Sequence, residues 1–184
     1  MDVAGQLEGR KVAILLAPAG TEQPEFEQPR DEVTKAGGTV EVIGLEAGDA
    51  KTVNSDLDPG DTFTVDKTFV EAAVGDYDAV VVPGGTVGSD TLRADESAVG
   101  FIRSAVQQGL PTAVICHGPW TLVEAGVVDG KRLTSYPSLQ TDIRNAGGTW
   151  VDEEVVVDGN LVTSRNPGDL DAFCAKLIEL TATR

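Results

Sequence analysis

Histidine, cysteine and aromatic residues are scarce in this sequence, whose 184 residues include one His, two Cys and 5% aromatic residues. Two cysteines are too few for a disulfide framework, and with one histidine they make a poor zinc site. No apolar run approaches the roughly 18 residues of a membrane-spanning helix. The N-terminal segment MDVAGQLEGRKV is polar and acidic and lacks the basic and apolar regions of a signal peptide. We therefore predict a cytoplasmic protein that uses no metal or other cofactor.

Basic residues are also scarce, with 14 Lys and Arg against 30 Asp and Glu, and the formal net charge is −16 at pH 7. This charge repels nucleic-acid phosphates and anionic membranes, so we expect neither as a partner. A dispersed, lysine-poor acidic surface suits a high-salt cytosol, because salt screens the self-repulsion. We therefore predict a halophilic protein and give the charge no catalytic meaning.

Four runs of apolar and β-branched residues are typical of parallel strands that are buried on both faces. They are Lys11–Leu16, Thr39–Ile43, Asp78–Val82 and Thr112–Ile115. Helical patterns alternate with them, which predicts an α/β fold with a doubly wound, mainly parallel sheet and helices on both faces. We expect residues 1–184 to form a single domain, since a chain of this length can bury a substantial core.

The remaining pattern predicts six helices, a hairpin and a long loop. The helices are expected at Pro24–Ala36, Phe69–Val74, Asp95–Gln108, Pro119–Ala125, Ser138–Ala146 and Asp169–Leu180. Asp158-Gly159 between two β-type runs predicts a C-terminal hairpin. Leu45–Thr68 is polar and turn-rich, so we expect a loop there with a turn at Pro59–Asp61 and at most a short strand at Thr62–Val65. Cys174, on the last helix, is expected in the core.

Cys116 follows the fourth strand and precedes a helix, and this order of elements is typical of a nucleophile elbow. A thiol at this position also faces a helix N-terminus, which favours the thiolate. His117, the only histidine, comes directly after it. The alternative is a buried structural cysteine beside an incidental histidine.

Loops after three strands are expected to meet at one edge of the sheet, where doubly wound folds bind ligands. Glu22 and Glu25 follow the first strand, and we expect them beside the strand of Cys116. A carboxylic acid next to a thiolate would keep its proton and hydrogen-bond the sulfur. The alternative for each glutamate is an acid that stabilises a helix N-terminus.

Backbone N–H groups of Gly85 and His117 are candidate donors to an oxyanion, although Gly84-Gly85 could also form an ordinary tight turn. No histidine follows residue 117, which argues against a glutaminase-type hydrolase with a distant histidine base. A dyad of Cys116 and His117 would need a strained elbow backbone, because adjacent side chains usually diverge.

Several motifs together carry a family resemblance from about residue 11 to residue 180. They are E-x-x-E-x-x-x-P-R at Glu22–Arg30, DYDA at Asp76–Ala79 leading into Pro83-Gly84-Gly85, TLR at Thr91–Arg93, ICHGPW at Ile115–Trp120, TSYP at Thr134–Pro137 and VVVDGNLVTSRNP at Val155–Pro167. With them the chain resembles the PfpI family of intracellular proteases. That family shares a class I glutamine amidotransferase-like superfamily with glyoxalase- and deglycase-type enzymes.

The resemblance implies a flavodoxin-like fold with Cys116 as the nucleophile, Glu25 as its protonated partner and Glu22 nearby. It implies an oxyanion hole from Gly85, beside Gly84, and from His117. It further implies that Asp90 of a neighbouring subunit approaches the histidine. The matching aromatic residues Tyr136 and Trp120 are expected at the mouth of the site.

Three functions are compatible with these residues. The first is a stress-protective glyoxalase or deglycase, which converts methylglyoxal to lactate or repairs early glycation adducts through a Cys116 thiolate. The second is a cysteine peptidase, a hydrolase that forms an acyl-thioester. The third is a non-enzymatic redox sensor or chaperone with an oxidised Cys116. The expected partners are a small aldehyde or a peptide substrate and further copies of the chain, as a dimer or hexamer.

Overall fold

The computed structural model describes residues 4–184; residues 1–3, where the segment examined for a signal peptide begins, lie outside it. The strands are β1 Lys11–Leu16, β2 Ala19–Glu22, β3 Thr39–Gly44, β4 Gly48–Asn54, β5 Asp58–Val65, β6 Lys67–Thr68, β7 Ala79–Val82, β8 Thr112–Ile115, β9 Arg132–Leu133, β10 Thr149–Trp150, β11 Val155–Asp158 and β12 Leu161–Ser164. The helices are α1 Gln23–Lys35, α2 Thr86–Arg93, α3 Glu96–Gln107, α4 Pro119–Ala125, α5 Gln140–Asn145 and α6 Leu170–Ala182.

A central seven-stranded sheet has the order β11-β12-β8-β7-β1-β3-β6. Neighbouring strands run parallel except β11 and β12, which form the antiparallel C-terminal hairpin. All residues of β7 and β8 are buried, as the apolar runs predicted. The α/β fold with a mainly parallel sheet is therefore confirmed. The placement expected for the glutamates needs one correction, because β7 lies between β1 and the cysteine strand β8.

Helices cover both faces of this sheet, and the buried side chains divide into two core clusters. Successive side chains of a strand point to opposite faces, so Ala13 and Leu15 belong to one cluster and Val12, Ile14 and Leu16 to the other. Buried residues of α2, α3, α4 and α5 complete the first cluster, and those of α1 and α6 complete the second. The predicted core position of Cys174, on α6, agrees with this division.

The loop predicted for Leu45–Thr68 is wrong, because this segment forms a hairpin, although the short strand expected at Thr62–Val65 is present as part of β5. Strands β4 and β5 pair antiparallel, and β2 adds in parallel to make a second, three-stranded sheet. Most of the hairpin side chains are exposed, so no apolar run marks the strands. Pro59 lies inside β5 at an irregular position of the ladder, where a missing N–H is tolerated. The turn lies earlier, where Ser55 and Asp56 have φ of 52° and 62°.

Two smaller predictions also need correction, and one helix was missed. Phe69–Val74 is not a helix, and only Val74–Asp76 forms a single 3₁₀ turn. Ser138–Ala146 is split between a 3₁₀ turn at Pro137–Leu139 and the short α5. The eight-residue α2 was not predicted, since its residues Thr, Val, Gly and Ser are weak helix formers. Its place after Gly85 matters for the site described below.

None of the helices within residues 4–184 is long and apolar enough to cross a membrane.

Candidate active site

Cys116 lies in a sharp turn between β8 and α4, with a φ of 63°. A side chain with Cβ is unfavourable in this left-handed region, so the surrounding structure must hold it. The Cys116 N–H donates to the Ser164 carbonyl at 3.1 Å, and its carbonyl accepts from the Tyr136 N–H at 2.8 Å. A Cβ on Gly118 would lie 2.8 Å from the Ile115 carbonyl oxygen, so the chain must turn tightly here. The strand–turn–helix geometry expected of a nucleophile elbow is present.

Glu25 lies in the first turn of α1 and is fully buried. Its Oε2 accepts the Gly84 N–H at 2.7 Å, while Oε1 has no hydrogen-bond partner within residues 4–184. A Cβ on Gly84 would lie 2.6 Å from both Glu25 Oε2 and the Cys116 Cβ. Gly84 is therefore the residue that allows the carboxyl group to approach the thiol.

Burial raises the pKa of Glu25 to about 8, and the Gly84 N–H opposes this rise. Burial also raises the pKa of the Cys116 thiol, as does the Glu25 carboxylate, while the N–H groups of Gly85 and His117 lower it. Two adjacent acids resist becoming two adjacent anions, so the pair retains at least one proton at neutral pH. A thiolate therefore forms here only beside a protonated Glu25, and the N-terminus of α4 is not the dominant influence.

The N–H groups of Gly85 and His117 hydrogen-bond the Cys116 sulfur, so both stay candidate donors to an oxyanion formed next to it. Gly85 has a φ of 94°, and a Cβ there would lie 2.2 Å from the Gly20 carbonyl oxygen. This crowding restricts the position to glycine and fixes the N–H next to Cys116. Gly84 and Gly85 thus form more than an ordinary tight turn.

The His117 ring folds back on its neighbour, with Nδ1 3.2 Å from the Cys116 Sγ. The positive φ at Cys116 makes this contact between adjacent side chains possible. The ring stacks on Tyr136 at 4.5 Å and 23° and meets Trp120 edge-on at 5.3 Å. Burial lowers the pKa of His117, and the charge of Asp56 raises it. Both predicted aromatic residues therefore lie against the histidine.

Two residues that the sequence did not indicate, Thr86 and Asp56, lie on the far side of His117, where Thr86 contacts the ring and Asp56 contacts Thr86. Thr86 Oγ1 lies 3.3 Å from His117 Nε2 and donates to Asp56 Oδ2 at 3.1 Å. Asp56 lies in the β4–β5 turn, and its other oxygen accepts the Thr86 N–H at 2.7 Å. The turn-forming residues Asn54–Asp56, between Thr- and Val-containing segments, were the available signal for this hairpin.

Glu22 is buried, but its hydrogen bonds go to the hairpin. Its Oε1 accepts the Asp56 N–H at 2.5 Å and its Oε2 the Ser55 N–H at 3.2 Å. Burial raises the pKa of Glu22, and the Asp56 N–H opposes this rise. The structure thus separates the two glutamates of the E-x-x-E motif, because Glu25 faces the thiol and Glu22 holds the turn.

Asp90 is exposed on α2 and lines a separate cavity of about 840 Å³ with Arg93, Asp95 and Glu124. Within the described residues, the side chain within hydrogen-bond distance of His117 Nε2 is that of Thr86. A role for Asp90 across a subunit interface stays a prediction. Within residues 4–184 there is no group of three or more His, Cys, Asp or Glu side chains that could hold a metal ion.

A flavodoxin-like sheet with a cysteine at a strained elbow and a buried acid beside it defines a class of cysteine-centred α/β proteins. The sequence profile of the DJ-1/PfpI family matches residues 10–180, and the chain belongs to this family. The family resemblance predicted from the motifs is therefore confirmed.

Named relatives and solved structures agree with this assignment. Protein/nucleic acid deglycase 2 of Escherichia coli is 41% identical over 172 residues, which cover 93% of this chain and 97% of the relative. YraA of Bacillus subtilis, which carries a provisional cysteine-protease name, is 37% identical over 171 residues, 93% of this chain and 98% of the relative. The crystal structure of Drosophila melanogaster DJ-1beta has a TM-score of 0.84 at 35% identity, over 95% of this chain and 91% of that one. The prediction of an enzyme is confirmed by these comparisons.

Proposed function

We propose that the protein is a deglycase or glyoxalase-type enzyme that acts on small reactive aldehydes and their early adducts through Cys116. The observation that carries this proposal is the buried Glu25 carboxyl beside the thiol, with its pKa raised to about 8. Such an acid is protonated near neutral pH yet can release its proton, which suits a group that moves protons on a carbonyl adduct. The deglycase name of the Escherichia coli relative supports the same chemistry.

The first step is addition of the sulfur to the aldehyde carbon of a substrate such as methylglyoxal. The thiol proton moves to His117 Nδ1, 3.2 Å from the sulfur, as the new C–S bond forms. The carbonyl π electrons move to the oxygen, where the Gly85 and His117 N–H groups stabilise the charge. Glu25 then protonates this oxygen and becomes a carboxylate, and the product is a hemithioacetal.

The second step converts the hemithioacetal to a thioester of lactate. The Glu25 carboxylate removes the proton from the sulfur-bearing carbon and returns it to the neighbouring carbon. The hydroxyl proton passes from the first oxygen to the second, so the first carbon is oxidised and the second reduced within one molecule. Water then hydrolyses the thioester, and the departing sulfur recovers its proton from His117. Glu25 regains its own proton from the attacking water, and lactate is released.

A cysteine peptidase is the second candidate function, and the 3.2 Å approach of His117 to the sulfur favours it. This contact supplies a group that could protonate an amine leaving group, and the peptidase route would share the thioester intermediate. The name of YraA points to the same activity. A redox sensor or chaperone is the third prediction and stays one.

The test is lactate formation from methylglyoxal by the purified full chain at molar salt, with a chelator present. We expect turnover by the wild type and by Cys174→Ala, loss of turnover in Cys116→Ala, and a decrease of about 10²–10³-fold in Glu25→Gln. Turnover that persists in Cys116→Ala contradicts the proposal. Cleavage of a denatured protein by a preparation without aldehyde activity selects the peptidase. Holdase activity that survives in Cys116→Ala rules out a sensor based on this thiol.

We also propose, on the acidic composition and the family resemblance, that the protein works in a salty cytoplasm, protects against carbonyl stress and assembles as a dimer or hexamer. Sedimentation at low and molar salt tests the assembly.

A further inference from the structure

We propose that Asp56 is a positioning residue that acts through the Thr86 hydroxyl to set the tautomer of His117, so that the unprotonated Nδ1 faces the Cys116 sulfur. The inference rests on the proposed function, in which His117 takes the thiol proton. It assigns a role in this site to the hairpin turn, which lies on the second sheet.

A count of hydrogens carries the argument. The Asp56 carboxylate can only accept hydrogen bonds, and a threonine hydroxyl has a single hydrogen to donate. Thr86 gives this hydrogen to Asp56 Oδ2 at 3.1 Å, so its oxygen can only accept from His117 Nε2, 3.3 Å away. A neutral imidazole carries one N–H, which is then at Nε2. Nδ1 keeps its lone pair, 3.2 Å from the sulfur.

Without the carboxylate, the same hydroxyl could rotate and donate to Nε2. The imidazole hydrogen would then lie at Nδ1 and point at the sulfur, and His117 could no longer accept the thiol proton there. The Thr86 hydroxyl is compatible with both tautomers of His117, so Asp56 alone selects the one that carries its hydrogen at Nε2.

Asp56 is itself held in place from two elements. Its Oδ1 accepts the Thr86 N–H at 2.7 Å, and its own N–H donates to the buried Glu22 at 2.5 Å. The left-handed φ of Asp56, 62°, is maintained by these contacts. The carboxylate therefore approaches Thr86 in one orientation, as a positioning group requires.

Other polar groups around His117 do not provide this hydrogen bond. Cys116 faces Nδ1, Tyr136 stacks on the ring, and Trp120 meets it by an edge. Among the cations, Arg93 lies 5.3 Å over the Trp120 ring and pairs with Glu124. The relay is complete within one chain, in contrast to an arrangement that needs Asp90 of a second copy.

The test uses the fact that His117 is the only histidine. Long-range ¹H–¹⁵N spectra of the full chain therefore report its tautomer and its pKa without ambiguity. We expect the Nε2–H tautomer in the wild type. Asp56→Asn keeps an oxygen for the Thr86 N–H but presents an NH₂ group to the Thr86 oxygen, which forces the hydroxyl hydrogen toward Nε2. This variant should show the Nδ1–H tautomer, a lower pKa of His117, and a kcat about 10²-fold lower with little change in KM.

Thr86→Val tests whether the Thr86 hydroxyl sets the tautomer, as opposed to the Thr86 N–H merely holding the start of α2 against Asp56. It keeps the side-chain shape and the backbone N–H that bonds Asp56, and removes only the hydroxyl. We expect mixed tautomers and a kcat reduced about 10-fold or more, with both restored in Thr86→Ser. The matched control is Thr91→Val on the same helix, whose hydroxyl bonds the Val87 carbonyl at 2.8 Å. The control should leave tautomer and kcat unchanged.

Three outcomes overturn the inference. One is a wild-type tautomer and pH profile in both Asp56→Asn and Thr86→Val. Another is an Nδ1–H tautomer in the wild type itself. The third is a tautomer change in Asp90→Asn but in neither of these variants. If Asp56→Asn does not fold, the comparison of Thr86→Val with Thr86→Ser still decides. The tautomer is read without turnover, so failure of the proposed function in the lactate assay is a separate result.

Discussion

The two cysteines are nearly equal in burial and very different in surroundings. Cys116 is 5% exposed and Cys174 is 3% exposed. Burial raises the pKa of the Cys174 thiol to about 12, and burial likewise raises that of Cys116. Only at Cys116 do backbone N–H groups, an imidazole and a carboxyl group converge on the sulfur. Burial and a raised pKa therefore do not distinguish the two cysteines, whereas the convergent polar groups at Cys116 do.

The largest expected effect is a contrast in alkylation of the two thiols. In Cys174→Ala, the remaining Cys116 should react with iodoacetamide at least about 10²-fold faster than Cys174 does in Cys116→Ala, since only Cys116 has groups that can take its proton. Mass spectrometry of the native protein at molar salt measures both rates. Equal rates would remove the distinction between the cysteines.

The pH profile of the Cys116 alkylation rate sharpens the same contrast. The Glu25 carboxylate raises the pKa of the thiol, so Glu25→Gln should move the midpoint of the profile to lower pH. The profile of Cys174 should not move. If the midpoint of the Cys116 profile does not change in Glu25→Gln, the thiol and the Glu25 carboxyl group are not coupled.

A methyl group at residue 84 should disrupt the site while both cysteines are kept. The Cβ of Gly84→Ala would lie 2.6 Å from the Cys116 Cβ and the Glu25 Oε2, so one of them must move. We expect a loss of about 1–3 kcal/mol in stability and a loss of most turnover. Gly100→Ala is the matched control in α3, where a Cβ meets nothing within 4 Å, and it should stabilise the protein by about 0.5–1 kcal/mol. Chemical unfolding at molar salt measures both, and equal stabilities would show that the site tolerates the methyl group.

The smallest effect concerns the pH dependence of stability. Glu25 has an ordinary pKa of 4.5 and a folded-state pKa of about 8, so between these values the folded protein binds a proton that the unfolded chain releases. Its contribution to stability is complete below about pH 4.5 and is lost as the pH rises to about 8. Glu25→Gln should therefore gain stability relative to the wild type over this window. Unfolding curves measured from pH 4.5 to about 8 test this, and parallel stability curves for the wild type and Glu25→Gln would refute the shift.

The central sheet could be predicted because its strands are buried on both faces. Runs such as Ala79–Val82 and Thr112–Ile115 are apolar or β-branched throughout, and burial of this kind leaves a sequence pattern. The hairpin Gly48–Val65 is mostly exposed, so its strands depend on partner strands that the local sequence does not reveal. The helix α2 was missed for a similar reason, because its position depends on the turn at Gly85 and is not evident from its own sequence.

The part of the candidate site that lies at the ends of the central strands could be predicted from the sheet topology. Cys116, Gly85 and Glu25 follow strand ends that meet at one edge, and the structure brings them together. Asp56 and Thr86 could not be inferred, because the Thr86–His117 and Asp56–Thr86 contacts require the unpredicted hairpin and α2. The division of roles between Glu22 and Glu25 likewise depends on where the hairpin turn lies.

The left-handed backbone of Cys116 limits which side chains this elbow can hold. A φ of 63° is accessible to residues with a single heavy atom on Cβ, but it strains β-branched ones. Serine could therefore replace the cysteine by a single-atom exchange and keep the turn, whereas threonine would clash with it. The backbone therefore restricts residue 116 to a few unbranched side chains, and other changes in the site would have to come from the residues around it.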